Sequence, residues 1–292
     1  MATIGVRAAA GIWAAILIAI SLQACALEMS TAHGEPIFAS NEAAIWAGES
    51  STVRWQPSVN DTWQWQLRGK INTRYDVNVY DIDLFDAQAA TIAQLKRAGR
   101  KVVCYFSAGS AENWRADFEQ FKAADKGKAM RGWAGENWLD VRSGNVRRIM
   151  LQRLDHAAVK GCDGVEPDNV DGYANDTGFA LTEQDQLDFN RFLAEEAHAR
   201  SLAIGLKNDI HQLAALEPLF DFAVNEECHE QNECAGYVAF TAKQKPVFNA
   251  EYRASYRTEA GRQALCAAAK KAGLRTLVLP RELDDGFRFS CD

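Results

Sequence analysis

The chain has none of the short motifs that hold phosphates or metals. No G-x-G-x-x-G and no G-x-x-x-x-G-K-[ST] follows any apolar run, which speaks against a dinucleotide or triphosphate site. Its seven cysteines never fall in C-x-x-C spacing, and none of its five histidines lies in H-E-x-x-H, so a zinc site lacks its ligands. Positive charge is short as well. Lys plus Arg is 32 against 39 Asp plus Glu, and a general nucleic-acid surface would be basic. After the first 20 residues no apolar run approaches the roughly 20 residues of a membrane span. From residue 46 onward there is no Pro/Gly/Ser linker, no low-complexity tract and no repeat, so one domain is the simplest organisation.

The start is a targeting segment. Arg7 is the only charge in the first 27 residues; an apolar run over 8–20 follows, then Leu22-Gln-Ala-Cys25. A charged start, an apolar middle and a small residue before the cut make a secretory signal. Cysteine at the cut resembles a bacterial lipoprotein signal over 1–24 with Cys25 lipidated, although Gln23 is uncommon there and ordinary cleavage nearby is the alternative. Residues 25–45 read as a polar tether. The expected product is exported, lipid-anchored in the cell envelope (periplasm or outer membrane) or secreted, and touches membrane only through the lipid. Six further cysteines suggest disulfides. Cys228 with Cys234 is the easiest pair, Cys266 with Cys291 would tie down the C-terminus, and Cys104 and Cys162 either meet or stay as buried thiols.

About 245 residues remain from Trp46 to Asp292, near the roughly 250 of a (β/α)₈ barrel. Strands are predicted over 62–67, 76–83, 101–107, 163–168, 202–208, 220–226, 246–251 and 275–280, several of them continuous apolar runs of the parallel, doubly covered kind. Helical patterns lie between them. Thr182-Glu-Gln-Asp185 is a capping box with Asp for Glu, and Phe189, Phe192, Leu193 and Ala197 follow on one face. Val146, Ile149, Met150 and Leu154 repeat that pattern, and Gly99, Gly161 and Gly273 stand where helices stop. The fold class is α/β, a single (β/α)₈ TIM barrel over 46–292.

The predicted strand ends are polar. They run Tyr80-Asp81-Ile-Asp83, Tyr105-Phe-Ser107, Glu166-Pro-Asp168-Asn169-Val-Asp171, Lys207-Asn208-Asp209, Asn225-Glu226-Glu227, Asn249-Ala-Glu251-Tyr252 and Arg281-Glu282. In a barrel these ends meet at one mouth, where the chemistry sits. Carboxylates and amides there bond hydroxyls and amines, and aromatic faces pack on sugar rings. Asp81, Asp83, Tyr105, Glu166, Asn169, Asp171, Lys207, Asn208, Glu251 and Tyr252 are candidate substrate contacts, each also readable as a strand-end cap or buried ion pair. Lys207 reads as a residue that tunes a neighbouring carboxylate. Trp114, Trp133 and Trp138 are candidate platforms or core; Asp140 and Arg142 lie in a long third connection that would cover the cleft; His229 falls on the rim.

Cys162-Asp-Gly-Val-Glu-Pro-Asp168-Asn-Val-Asp-Gly-Tyr173, Gly178-Phe-Ala-Leu-Thr182, Gly205-Leu-Lys-Asn208, Val224-Asn-Glu226-Glu-Cys228 and Pro246-Val-Phe-Asn-Ala-Glu251-Tyr252 together resemble glycoside hydrolase family 114, the endo-α-1,4-polygalactosaminidases. Trp55-Gln-Pro57 and Tyr105-Phe-Ser-Ala-Gly109 extend the resemblance over nearly all of 52–285. It implies a (β/α)₈ barrel that cuts α-1,4-linked galactosamine-rich polysaccharide, with Asp168 and Glu226 matching the family's proposed catalytic pair. By that analogy Asp168 is nucleophile, Glu226 general acid/base and the outcome retention. Glu227 competes for the acid role, but side chains alternate along a strand, so only one of the two faces the mouth. No cofactor, metal or defined oligomer is implied, and a monomer is expected. Two other classes stay open: a barrel that binds polysaccharide without cutting it, and an enzyme of another linkage class such as an α-galactosidase.

Overall fold

A computed structural model describes residues 53–292. The leader over 1–24, Cys25 and the tether over 25–45 lie outside the described residues. In chain order the strands are β1 (Trp63–Gln66), β2 (Val79–Asp83), β3 (Lys101–Ser107), β4 (Ser110–Glu112), β5 (Lys126–Ala129), β6 (Glu136–Leu139), β7 (Gly164–Asp168), β8 (Ala203–Lys207), β9 (Phe222–Glu226), β10 (Val247–Glu251), β11 (Arg275–Val278) and β12 (Phe289–Ser290). The helices are α1 (Ala89–Arg97), α2 (Gly144–Lys160), α3 (Glu183–Ala199), α4 (Leu213–Leu216), α5 (Cys228–Gln231), α6 (Val238–Thr241) and α7 (Glu259–Ala272). All eight predicted strands are present, trimmed at their ends, and run parallel in the order β1-β2-β3-β7-β8-β9-β10-β11.

Strand β12 was not foreseen. It adds antiparallel to β11, with Leu277 opposite Ser290 and Val278 opposite Phe289. The C-terminal segment bridges the seam between β11 and β1. Leu283 O accepts from the Leu67 and Arg68 amides at 2.9 and 3.1 Å, and the Arg288 guanidinium donates to Trp63 O and Gln64 Oε1 at 2.9 and 2.6 Å. Trp63 Nε1 reaches across to Arg275 O at 2.9 Å. The sheet thus curls into a barrel whose closure relies on side chains and a C-terminal strap.

Period-two alternation sorts the strands into two cores. Trp63, Trp65, Val79, Val103, Ala203, Phe222, Val224, Phe248, Ala250, Leu277 and Leu279 fill the barrel interior. Tyr80, Ile82, Val102, Cys104, Phe106, Val165, Ile204, Leu206, Ala223 and Val247 face outward to the helices, where Ile149, Leu154, Phe189 and Leu193 meet them. Gly205 is small because the interior is full: a Cβ there would lie 2.4 Å from the Phe222 ring.

The predicted helix boundaries carry their caps. Thr182 Oγ1 accepts from the Asp185 amide at 3.1 Å while Asp185 Oδ2 accepts from the Thr182 amide at 2.8 Å. Gly161 and Gly273 close α2 and α7 in left-handed conformation, φ 88° and 72°. Disulfides join Cys104 to Cys162, Cys228 to Cys234 and Cys266 to Cys291. The first ties β3 to the foot of β7 and, with its ends 58 positions apart, is worth on the order of 4 kcal/mol by chain entropy. The long third connection holds a second sheet, ordered β4-β6-β5.

Candidate functional site

Alternation decides what reaches the mouth. Counting inward from Val79, Val103, Gly164, Ala203, Val224 and Ala250 places Asp81, Asp83, Tyr105, Glu166, Asp168, Lys207, Glu226 and Tyr252 on the interior side. Lys207 is their centre. Its Nζ lies 3.0 Å from Glu166 Oε1, 3.2 Å from Asp168 Oδ1 and 3.2 Å from Glu226 Oε2. The Trp65 ring centroid is 4.8 Å from the same nitrogen. Burial disfavours the ammonium, but Asp168, Glu166 and Glu226 outweigh it, and Lys207 stays charged well above its ordinary range.

Asp168 is held by donors on both oxygens. Tyr105 Oη donates to Oδ2 at 2.9 Å, and the Asn169 amide donates to Oδ1 at 2.7 Å. Tyr252 Oη donates to Glu226 Oε1. Burial and the adjacent carboxylates push both phenols up, so they remain donors at neutral pH. Asp168 and Glu226 are the partly exposed carboxylates of the cluster, 17% and 30%, whereas Glu166 is sealed at 0%.

The turns that aim these groups leave ordinary backbone space. Asn169, Asn208, Asp209 and Glu227 have φ of 60°, 48°, 47° and 62°. Left-handed backbone at non-glycine residues is unfavourable and gathers at functional sites. Asn208 Oδ1 accepts from the Glu226 amide at 3.0 Å, so Asn208 sets the end of β9. Glu227, turned by its φ, leaves the cluster and bonds Arg281 at 2.7 Å. Of the two adjacent glutamates, only Glu226 meets Lys207.

Other candidates sit elsewhere. Asp83 is bound by Arg115 at 3.0 and 2.5 Å, and Arg115 also bonds Glu112 of β4. Glu251 faces outward from the barrel; its Oε1 accepts from the His229 amide at 2.8 Å, which anchors the loop after Glu226. Asn169 Nδ2 donates to Ser107 Oγ at 2.9 Å. Asp140 and Arg142 pair with each other at 2.8 Å. Trp138 is buried, while Trp114 and Trp133 are about half exposed. Cys228, His229 and Cys234 bring ligand atoms within 4.8 Å, but both sulfurs are spent in a disulfide.

Beside Glu226 opens a pocket of about 290 Å³, lined by Asp171, Tyr173, Asn208, Asp209, Glu233 and Tyr237 among others. Its lining has four carboxylates, Glu226 included, and no Lys or Arg. Sequence reading does not single out Asp209, Tyr173 or Glu233 as site residues. Their signal is weak, because an Asp after a strand reads as a cap and Glu233 lies in a short disulfide loop. Asp209 accepts from Asn190 Nδ2 at 3.0 Å and from Tyr173 at 3.3 Å.

Several carboxyls here resist ionisation. Burial first, then neighbouring charge, lifts Glu136, Asp209 and Glu251 to about 7. A carboxyl raised in the folded state adds stability that is complete below its unfolded value and is lost as pH rises through the folded one. Asp125 and Asp185, whose hydrogen bonds pull them down, act oppositely on the acid side. The melting temperature is therefore expected to fall between pH 5 and pH 8. Glu251→Gln removes one such group, worth on the order of 3 kcal/mol, and should melt higher than wild type at pH 8 but not at pH 5. Parallel pH curves for the two proteins would refute this.

The family model of Glycoside-hydrolase family GH114 matches residues 45–292. Among solved structures, that of Aspergillus fumigatus Ega3 in complex with galactosamine is 45% identical, with TM-score 0.78 over 84% of this chain and 100% of Ega3. The glycoside hydrolase domain of PelA from Pseudomonas aeruginosa shares the fold at TM-score 0.59 and 17% identity, over 76% of this chain and 95% of that domain. Thermus thermophilus TtGalA, an α-galactosidase, shares it at TM-score 0.51 and 13% identity, over 76% of this chain and 58% of TtGalA. Among curated proteins no sequence matches the chain.

Proposed function

The chain belongs to glycoside hydrolase family GH114, and on that footing we propose that it cleaves α-1,4-linked galactosamine-rich polysaccharide internally, with retention, through Asp168 and Glu226. Asp168 attacks the anomeric carbon as the bond to the glycosidic oxygen breaks, and Glu226 gives its proton to that oxygen. Water then attacks the glycosyl ester, Glu226 takes the water's proton, and Asp168 leaves as carboxylate.

The observation that carries the reading is the shared lysine. Asp168 Oδ1 and Glu226 Oε2 each lie 3.2 Å from Lys207 Nζ, so these oxygens are no more than twice that distance apart. That leaves room for the ~5–5.5 Å of retention and stops short of most of the roughly 6.5–9.5 Å range of inverting enzymes. The pocket beside Glu226 supports a cationic sugar, since Asp171, Asp209 and Glu233 line it and no Lys or Arg does. The galactosamine bound to Ega3 agrees with that chemistry. Three disulfides support export to an oxidising compartment, and lipid attachment at Cys25 belongs to the same reading.

The test is reducing-end release from partly deacetylated α-1,4-galactosamine polymer, with product length and first-formed anomer followed by NMR. Internal fragments with α ends are expected. β ends would overturn retention, and absence of cleavage with binding intact would favour a capture module.

A further inference from the structure

Beneath Asp168 and Glu226 lie two carboxyl groups for which the cleavage has no use. Asp81 from β2 and Glu166 from β7 are 1% and 0% exposed. The oxygens of both are buried without an N–H or O–H donor in hydrogen-bonding geometry. Lys207 Nζ, 3.0 Å from Glu166 Oε1, is the cation that Glu166 meets. Each of the two carboxyl groups bears on the ionisation of the other. Two carboxylates have no donor between them, so a hydrogen bond joining them requires a proton. Two bare charges at this depth would each cost several kcal/mol.

We propose that Asp81 and Glu166 hold one proton between them, and that their single negative charge positions Lys207 as the counter-ion shared by Asp168 and Glu226. The inference rests on the catalytic assignment above. The groups facing the pair are Asp168 on β7, Lys207 on β8, Tyr105 on β3 and, across Lys207, Glu226 on β9. Burial lifts Glu166 to about 7 and Asp81 well above its usual range, in keeping with a proton retained by the pair.

The charge count explains why such a floor is useful. One negative charge below balances the ammonium of Lys207. Asp168 and Glu226 together then carry one negative charge throughout the cycle. Before attack it is on Asp168 and the proton is on Glu226. Once Asp168 is esterified and the proton has gone to the leaving oxygen, it is on Glu226. A cation fixed 3.2 Å from an oxygen of each serves both halves without reorganising. Asp81 and Glu166 touch no substrate and are positioning residues.

The experiment compares mature wild type with Asp81→Asn, Asp81→Leu and Glu166→Gln. At pH 7 the wild-type minus Asp81→Asn infrared difference spectrum should show a protonated-carboxyl stretch, whatever the substrate is. In kinetics, Glu166→Gln should lower kcat about 100-fold with little change in KM, as displaced catalytic groups do. Loss of the floor charge also frees Lys207 for Glu226, so the basic limb of the kcat–pH profile should move to lower pH. Asp81→Asn, which keeps a neutral donor, should fall between wild type and Asp81→Leu. A difference spectrum without that band overturns the proposal, as does a Glu166→Gln enzyme with an unshifted profile. If Asp81→Leu fails to fold, the spectra and Glu166→Gln still decide. Unimpaired turnover in Asp168→Asn would instead sink the catalytic assignment and leave the infrared test standing.

Discussion

Asp168→Asn and Glu226→Gln should each lose at least ~10³-fold in kcat on galactosamine polymer while keeping the wild-type melting curve, the scale at which transition-state chemistry is removed. Both replacements preserve shape. Asn at 168 can still accept from Tyr105, but an amide oxygen is too weak a nucleophile to trap the oxocarbenium-like carbon. Gln at 226 can still accept from Tyr252, yet has no proton to give the leaving oxygen. The roles are separable with azide and the Ala variants. In Asp168→Ala azide replaces the missing nucleophile and yields a β-glycosyl azide from the α-linked substrate. In Glu226→Ala it intercepts the ester and yields the α-azide. Glu227→Gln should be milder, because Glu227 is turned away to Arg281 at 2.7 Å. The reverse azide stereochemistry would exchange the two roles, and full loss in Glu227→Gln would move the acid by one position.

Much of this site is legible from short-range rules. Parallel strands covered on both faces are apolar runs, so each strand and its polar end can be found by eye. Period-two alternation then separates Tyr252 from Glu251, since neighbours on β10 and just past it must face opposite sides. What stays hidden depends on curvature. Lys207 meets Glu166, Asp168 and Glu226, which come from two other strands, and no local pattern says that three carboxylates converge on one ammonium. Asp83 reads like Asp81 in sequence, and only its pairing with Arg115, itself tied to Glu112 of the small sheet, removes it from the cluster. That sheet escapes sequence reading because Ser110–Glu112 and Lys126–Ala129 are short and lack an apolar rhythm. Strand β12, two residues long, is fixed by what it covers.

Gly109→Ala should be the most damaging methyl group that can be added near the site. The turn after β3 is stitched to the end of β7, with the Ala108 and Gly109 amides donating to Asp168 O at 2.8 and 3.1 Å. A Cβ on Gly109 would lie 1.7 Å from Asn169 O and 2.7 Å from its carbonyl carbon. These are backbone atoms and cannot swing aside. The Asn169 peptide must move, and with it the amide that holds Asp168 Oδ1 at 2.7 Å. Overpacking against backbone costs about 3 kcal/mol, or roughly 6–12 °C in melting temperature for a domain of this size. A shift of about 1 Å in the nucleophile adds ~10²-fold in kcat, so activity should fall further than stability explains. Gly144→Ala is the control. Its Cβ meets nothing within 4 Å, and the residue opens α2 with ordinary backbone. It should melt and turn over as wild type does. Equal behaviour of the two variants would mean that the turn yields freely and that Asp168 is aimed by Tyr105 and Lys207 alone.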